Sequence, residues 1–376
     1  FDDEVTRFLF WRNLIDPYAR EWQNGCGRWD LLDVVRATRA LRPEGITWPT
    51  HDDGRASFKL EHLTAANGLA HEAAHDALSD VRATIALARL IRAQQPRLWE
   101  FCLKLRRKDA VIAEIGGGRP FLHVSGMYPP ERGCLAIVWP LAPHPTNKNE
   151  LIVWDLSIDP GGLSSLDAVT IRERMFTRAD ELPEGVTRLP IKTIHINKSP
   201  VVVGNLKALS PEMAARWGID VAQALRHAEA AAQQGAAIAG LWPEVFARPA
   251  PAQVPDVDED LYGGFVGHTD RGRLQRLREL APEQLAAKRL AFDDARLEEI
   301  VFRYRARNFA TTLTSDEVAR WEEHRVRRLH EGEGGALTLQ VFFDRIDALN
   351  ESADERGQAI LESLYDYAEQ IAPEPA

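Results

Sequence analysis

The stretch FLHVSGMYPPERGCLAIVWPLA, residues 121–142, marks the point where the hydrophobic pattern of the chain changes. Its two apolar runs are short and are separated by proline and glycine, a pattern that is typical of neighbouring β-strands. Similar runs follow at residues 150–157, 190–197 and 200–204. Helical patterns cover residues 165–176 and 212–246. The middle of the chain is therefore predicted to form a small barrel or sheet domain that is closed by helices.

The segments on both sides of this domain are predicted to be helical. Before it, no convincing strand appears in the first hundred residues. Apolar residues recur there at helical spacing in residues 8–15, 29–41, 57–68 and 76–96. After it, PAPAQVPDVDED at residues 249–260 is rich in proline and then acidic, as expected of a linker. Beyond the linker, Thr314 and Glu317 form the pattern of a capping box before a long charged helix.

Composition limits the classes of protein that the chain can represent. Its 376 residues are 45% hydrophobic and 27% charged, which is ordinary for a globular protein of two or three domains. No run of 18 apolar residues predicts a membrane span, and the three cysteines form no C-x-x-C pair. The net charge of -10 argues against general affinity for nucleic acid but allows a local basic groove. A reducing cytoplasm fits these features, and the opening at Phe1 without an initiator methionine favours a fragment.

Two metal motifs overlap ahead of the fourth predicted helix. HEAAH, from His71 to His75, matches the H-E-x-x-H string of zinc proteases. HDALSD, from His75 to Asp80, matches the H-x-A-x-x-D string of metal-dependent 3′→5′ exonucleases. A zinc protease needs a third ligand downstream, and Pro96 interrupts the helix that leads to the nearest suitable carboxylate, Glu100. The zinc-protease interpretation is therefore disfavoured.

The exonuclease interpretation has a chemical basis in the residues themselves. Two Mg²⁺ ions can stabilise the attacking and leaving oxygens of a displacement at phosphorus, and such hard cations prefer carboxylate oxygens. Asp80 supplies one carboxylate at the start of an apolar helix, and Asp2 offers a second. His75, five residues before Asp80, can accept the proton of the attacking water. The alternative is that His75 and Asp80 simply begin a helix.

Eight motifs together resemble one family along nearly the whole chain. They are FDDEVTR (1–7), WDLLDVVRA (29–37), LRPEGITWP (41–49), SFKLEHLTAANG (57–68), HDALSDV (75–81), HVSGM (123–127), HINKSP (195–200) and YRARNF (304–309). In this order and spacing they resemble bacterial exonuclease I, the single-strand-specific 3′→5′ deoxyribonuclease of the DEDDh group. The resemblance implies an α/β multidomain protein with an N-terminally truncated ribonuclease-H-like exonuclease domain at 1–95. It further implies an SH3-like β-rich domain at 96–248, a linker at 249–258 and a helical C-terminal domain at 259–376.

By this resemblance, Asp2 and Asp80 correspond to metal-binding carboxylates and His75 to the general base, with two Mg²⁺ ions as the cofactor. The family's first motif, D-x-E on an opening β-strand, would lie ahead of Phe1. Because that pair of carboxylates holds both metals, we expect the chain as given to bind Mg²⁺ poorly and to cleave little. The same segment would carry the central strands, which accounts for the helical pattern of the first hundred residues.

The resemblance also implies contacts with substrate and partner. Family positions that touch DNA are matched by Arg7, Tyr18, Trp22, Arg36 and Lys59. Single-strand binding without sequence preference needs aromatic faces for stacking and cations for phosphates, although core packing is an equal alternative for each aromatic residue. Arg42 resembles a basic position that holds the acidic, apolar-ended tail of single-stranded-DNA-binding protein. An arginine can clamp a carboxylate in this way, and the alternative is that Arg42 caps the preceding helix.

Three further segments are candidates for the wall of a DNA groove. One is the basic and aromatic set Arg303, Tyr304, Arg305 and Arg307, for which an ion-paired helix is the alternative. The others contain His123 in HVSGM and His195, Asn197 and Lys198 in HINK. Lone histidines on strands are more often structural, so both interpretations stay open.

The sequence thus predicts a cytoplasmic, monomeric exodeoxyribonuclease that releases 5′-mononucleotides from the 3′ end of single-stranded DNA in repair and recombination. No association with a membrane is predicted. The alternative from another class is a non-catalytic module that binds single-stranded DNA or docks a partner. Salt-sensitive binding of oligonucleotides without Mg²⁺-dependent release of nucleotides would favour that alternative.

Overall fold

A computed structural model describes residues 2–70, 77–247, 255–288 and 290–373. These residues fall into two compact units. The helical unit contains Phe1–Arg20 and Ala250–Ala376, and the sheet unit contains Glu21–Pro249. The first twenty residues thus group with the carboxyl-terminal helices, so the units divide the chain differently from the four segments named above.

The described helices are numbered along the chain. They are α1 (Asp2–Arg12), α2 (Ala19–Trp22), α3 (Leu31–Leu41), α4 (Leu60–Ala66), α5 (Ala77–Gln94), α6 (Pro96–Lys104), α7 (Lys108–Ile115), α8 (Ala168–Phe176), α9 (Pro211–Arg216), α10 (Val221–Ala237), α11 (Trp242–Val245), α12 (His268–Arg278), α13 (Pro282–Ala287), α14 (Arg296–Asn308), α15 (Ser315–Leu329), α16 (Leu339–Asn350) and α17 (Glu355–Ile371). None of these helices is long and apolar enough to cross a membrane.

The sheet unit is built on five antiparallel strands. They are β1 (Phe121–Val124), β2 (Leu135–Pro143), β3 (Glu150–Asp155), β4 (Ile191–His195) and β5 (Val201–Val203). Their order in the sheet is β4-β3-β2-β1-β5, with Leu122 paired to both Ile137 and Val203. The five apolar runs predicted as strands are confirmed. Among the described residues ahead of β1, the only β pairing is an isolated bridge between Thr50 and Ala56. The predicted helical pattern of the amino-terminal region is therefore confirmed.

Both faces of the sheet are buried. Successive residues of a strand point to opposite faces, and Phe121 and Leu122 accordingly pack into two different hydrophobic clusters. The face of Leu122 is covered by α10 through Ala224, Ala228 and other small residues. On this helix, a Cβ added to Gly235 would lie 2.9 Å from Leu141 Cδ2 of β2. Small residues therefore let α10 lie close against the sheet.

Helix α5, which leads away from the predicted catalytic motif, is apolar on two faces. Ala83, Leu87 and Ile91 are buried, whereas Leu78 and Val81 are more than half exposed. The apolar pattern that predicted this helix therefore contains residues of both faces. Only one of these faces packs against described residues of the sheet unit.

The helical unit has its own core, which includes Trp11 of α1 together with Leu274, Leu297 and Ile300. The predicted capping box is confirmed at the start of α15. Thr314 N–H donates to Glu317 Oε2 at 2.9 Å, and Glu317 N–H donates to Thr314 Oγ1 at 3.3 Å. These bonds satisfy two amides that the first turn of a helix would otherwise leave unpaired.

The three cysteines are not joined in disulfides. Cys26 is exposed, whereas Cys102 and Cys134 are buried. Burial raises the pKa of the Cys102 thiol to about 12, because the charged thiolate is disfavoured away from water.

Candidate functional site

Asp80 lies half-buried in the first turn of α5. A carboxylate in this position is favoured by the positive end of the helix dipole, so its place is explained by the helix as well as by a metal. His75, the predicted general base, lies outside the described residues, as does the rest of residues 71–76. Its role therefore stays a prediction.

Asp2 begins α1 with an exposed side chain, and its backbone carbonyl accepts a hydrogen bond from Thr6 Oγ1 at 2.7 Å. Asp2 belongs to the helical unit and Asp80 to the sheet unit. Across the described ranges, no three side chains of His, Cys, Asp or Glu are grouped so that they could hold a metal ion. The described residues do not by themselves form the predicted two-metal site.

Arg36 lies on α3 and faces the loop that follows β1. Its Nη1 donates to Asp33 Oδ1 at 2.7 Å, and its guanidinium carbon lies 5.8 Å from the centroid of the Phe58 ring. A Cβ added to Gly126 would lie 2.6 Å from Nη2 of Arg36. The glycine of the HVSGM motif therefore lets the guanidinium approach the backbone, which brings the predicted groove residues of this motif to α3.

Lys192 of β4 extends this cationic region. Its Nζ donates to Ser125 Oγ at 3.0 Å and lies 4.6 Å from the centroid of the Tyr128 ring. Burial lowers the pKa of Lys192 to about 8, although Asp33 and Asp155 oppose the change. Lys192 was not among the predicted site residues, and its only local signal is a lysine between two isoleucines of the strand Ile191–His195.

His123 is not a surface residue. Its ring is only 4% exposed, and its Nδ1 lies 3.1 Å from the Tyr128 hydroxyl in a hydrogen bond. Burial holds the pKa of His123 well below its usual value. The prediction that His123 lines a groove is therefore wrong, because the packed sheet encloses the ring.

The second histidine segment, by contrast, lies at the surface. His195 is partly exposed with its Nδ1 3.5 Å from Glu150 Oε1, and Asn197 and Lys198 are exposed. Burial lowers the pKa of His195 while Glu150 acts in the opposite direction. These residues remain candidates for contact with a ligand.

Arg42 follows the last turn of α3 and is exposed. Its Nη1 donates to the carbonyl oxygens of Leu41 and Ala208, the latter at 2.9 Å. These bonds support the capping interpretation that the sequence left open. One turn earlier, the Arg39 guanidinium carbon lies 4.8 Å from the Trp217 ring centroid, so this end of α3 carries two cations.

The arginines of residues 303–307 have a structural role. Arg303 is 6% exposed and pairs with Asp256 at 2.5 Å, Asp258 at 2.9 Å and Glu299 at 2.8 Å. Arg305 pairs with Glu317, and Arg307 with Asp258. The prediction that Arg303 and Arg305 line a DNA groove is therefore wrong. The ion-paired helix, which was the alternative, is found, and Arg303 and Arg305 are buried within it.

The predicted substrate residues divide between the two units. Arg7 and Tyr18 belong to the helical unit, with the Arg7 guanidinium carbon 5.2 Å from the Tyr18 ring centroid. Trp22 and Lys59 belong to the sheet unit, where the Trp22 side chain is 54% exposed. The Lys59 side chain is 60% exposed, with Nζ 3.6 Å from Glu61. The structure thus leaves aromatic and cationic groups accessible in each unit.

Two family models match the chain and define its class. The Exonuclease I SH3-like domain matches residues 106–248, and the Exonuclease I C-terminal domain matches residues 255–371. These matches place the strands of the sheet unit and the helices α12–α17 in a nuclease of the exonuclease I type.

Individual relatives give the same result. Exodeoxyribonuclease I of Escherichia coli (strain K12) is 43% identical over 99% of this chain and 78% of that protein. The structure of E. coli exonuclease I in complex with a dA16 oligonucleotide matches with a TM-score of 0.89 and 42% identity, over 99% of this chain and 79% of that one. The chain therefore belongs to the exodeoxyribonuclease I family, which confirms the predicted enzyme class and excludes the zinc-protease interpretation.

Two other solved structures carry further molecules. The ExoI/SSB-Ct complex matches with a TM-score of 0.84 and 41% identity, over 99% of this chain and 78% of that one. A zinc ion bound form of the E. coli ExoI–ssDNA complex matches with a TM-score of 0.86, 41% identity and the same coverage. The family is one of metal-dependent nucleases.

Proposed function

We propose that the protein removes 5′-mononucleotides from the 3′ end of single-stranded DNA in repair and recombination, as a monomer in the cytoplasm. The observation that carries this proposal is the similarity over 99% of the chain to E. coli exonuclease I in complex with dA16. In the same proposal, residues 1–95 are part of a ribonuclease-H-like exonuclease domain. Residues 96–248 form the SH3-like domain, 249–258 the linker and 259–376 the C-terminal domain.

Mg²⁺ is the proposed cofactor, with Asp80 and Asp2 as ligands and His75 as the general base. Carboxylate oxygens suit a hard cation, and when bound, two such ions stabilise the attacking and leaving oxygens at phosphorus. The role proposed for Asp80 and Asp2 is metal binding, and it rests on the resemblance, since the described residues bring no three ligands together. His75 takes the proton of the attacking water.

Cations and aromatic rings hold the strand in this proposal. We assign phosphate contacts to Arg7, Arg36 and Lys59, and base stacking to Tyr18 and Trp22. Arg42 is exposed beside the Ala208 carbonyl, and we assign it to the tail of single-stranded-DNA-binding protein. The ExoI/SSB-Ct complex of a relative supports that partner.

The proposal is tested by incubating a 5′-labelled single-stranded oligonucleotide and Mg²⁺ with the complete enzyme, because the chain as given is expected to cleave little. Products should shorten from the 3′ end, and His75→Ala should lower turnover by about 10²-fold or more, the scale of a lost general base. His330→Ala, at an exposed histidine of the helical unit, is the control and should keep turnover. Near-normal turnover in His75→Ala would reject that assignment. Binding by the unsubstituted protein without Mg²⁺-dependent release would favour the non-catalytic alternative.

A further inference from the structure

Two aromatic side chains of the helical unit are exposed on one loop. Phe265 is 88% exposed and Tyr262 is 56% exposed. Gly263 and Gly264 separate them, so the backbone between the two rings carries no side chain. Burying a large apolar ring is favourable, and an outward-facing phenylalanine at this exposure therefore needs an explanation other than stability.

The loop that carries these rings is held by specific bonds. Arg296 donates through Nη1 to the Asp260 carbonyl and through Nη2 to the Gly264 carbonyl at 2.9 Å. The guanidinium carbon of Arg296 also lies 5.1 Å from the Trp11 ring centroid, and Trp11 Nε1 donates to the Val257 carbonyl at 2.7 Å. Arg296 thus holds the backbone on both sides of Tyr262.

Both rings meet aromatic residues of the amino-terminal segment. Phe8 and Tyr262 are in edge contact with centroids 5.9 Å apart, and Tyr18 and Phe265 are 5.7 Å apart with planes tilted by 55°. We call Phe8, Tyr18, Tyr262 and Phe265 the aromatic shelf. Arg7 lies over Tyr18 at 5.2 Å, so the shelf combines ring faces with a cation.

We propose that Tyr262 and Phe265 stack on bases of single-stranded DNA and hold the strand against the helical unit. Every base has a π-face, so rings bind a strand without preference for sequence, and a nearby cation serves the phosphates. The occupant follows from this combination of rings and guanidinium, and from the oligonucleotide bound to a relative of 42% identity. The inference rests on the proposed function and adds two residues to the predicted DNA contacts.

The test compares two ligands of equal length, dT16 and an abasic phosphodeoxyribose oligomer, without Mg²⁺. Phe265→Ala should weaken binding of dT16 by about ten- to a hundredfold, the scale of one stacked base. Binding of the abasic oligomer and the dependence of log Kd on log salt should not change, since no charge is removed. Phe265→Trp should restore the affinity for dT16.

Tyr367→Ala is the control, because Tyr367 is an exposed aromatic residue on α17 of the same unit. It should bind both ligands like the unsubstituted protein. Equal binding of dT16 by Phe265→Ala and the unsubstituted protein would overturn the inference, and so would an equal loss on the abasic oligomer. Failure of the unsubstituted protein to bind dT16 would instead contradict the proposed function itself.

Discussion

Helices α3 and α14 are both rich in arginine, but the arginines of α14 pair with carboxylates whereas those of α3 lie mainly against aromatic rings. On α14, Arg303, Arg305 and Arg307 each meet carboxylates, and the first two are buried. On α3, Arg36 meets one carboxylate and then an aromatic ring, whereas Arg39 lies over Phe58 and Trp217. The number of arginines in a helix therefore does not indicate whether they serve folding or a ligand.

The difference comes from where the acidic residues lie. The acidic segment at residues 256–260 returns to α14 and supplies carboxylates to Arg303 and Arg307. A buried charge requires such pairing, because leaving water is expensive. Near α3 the neighbours are mostly rings and backbone carbonyls, which leave more of the positive charge for phosphates.

The largest expected effect is the removal of a paired arginine. Arg303→Met should lower the free energy of unfolding by about 3–5 kcal/mol, because Asp256 and Asp258 lose their buried partner. Urea unfolding followed by circular dichroism measures this loss. The control is Arg327→Met, whose exposed pair with Glu323 should contribute about 1 kcal/mol or less. If Arg303→Met were stable but bound DNA more weakly, Arg303 would serve the ligand rather than folding, contrary to the comparison.

Replacing the buried cation Lys192 should raise the free energy of unfolding, whereas replacing Arg303 should lower it. Its folded pKa of about 8 lies below the usual 10.5, so between these values the unfolded chain holds a proton that the folded chain has released. Stability of the unsubstituted protein should therefore rise with pH across this window. Below about pH 8, Lys192→Met should be more stable by about 2–3 kcal/mol.

The measurement is urea unfolding of both proteins from pH 7 to 10.5, with Lys207→Met, at an exposed lysine of the same unit, as the control. The gain from Lys192→Met should shrink toward zero as pH approaches 10.5. If Lys192→Met were less stable than the unsubstituted protein at pH 7, Lys192 would stabilise the fold as Arg303 does. The contrast between the Lys192 region and helix α14 would then disappear.

The smallest change in stability is expected from replacing Arg36. The effect of this replacement should be seen in the salt dependence of DNA binding. Arg36→Gln should reduce the slope of log K against log salt for a single strand by about 0.7, the value for one phosphate contact. Arg55→Gln, which removes an exposed guanidinium paired with Asp53, is the control. An unchanged slope would place Arg36 among the structural arginines.

The elements of this fold could be predicted because their signals are local. The five strands are apolar runs bounded by glycine, proline or asparagine, and the capping box needs only Thr314 and Glu317, three residues apart. The residues that surround a side chain, by contrast, can come from distant parts of the sequence. The sequence left both roles of Arg303 open because its partner Asp256 lies 47 residues away. The two interpretations of His123 stayed open because the packing that encloses it involves both faces of the sheet.

The candidate site was predicted mainly by resemblance. The positions of Asp80 at a helix start and of Trp22 at the surface agree with expectation, but spacing alone assigned neither a role. Tyr262 and Phe265 were missed because an aromatic-Gly-Gly-aromatic stretch is equally compatible with burial. The loop that carries them is held by Arg296, more than 30 residues further along the chain, so the local sequence does not show how it is placed.

The distribution of the three thiols has a practical consequence. Since Cys102 and Cys134 are enclosed, a maleimide meets a single accessible sulfur, that of Cys26, on the folded molecule. A dye or a surface tether can be attached there without first replacing any residue. The attachment point lies four positions from the exposed ring of Trp22, which makes it a built-in reporter for events at that helix.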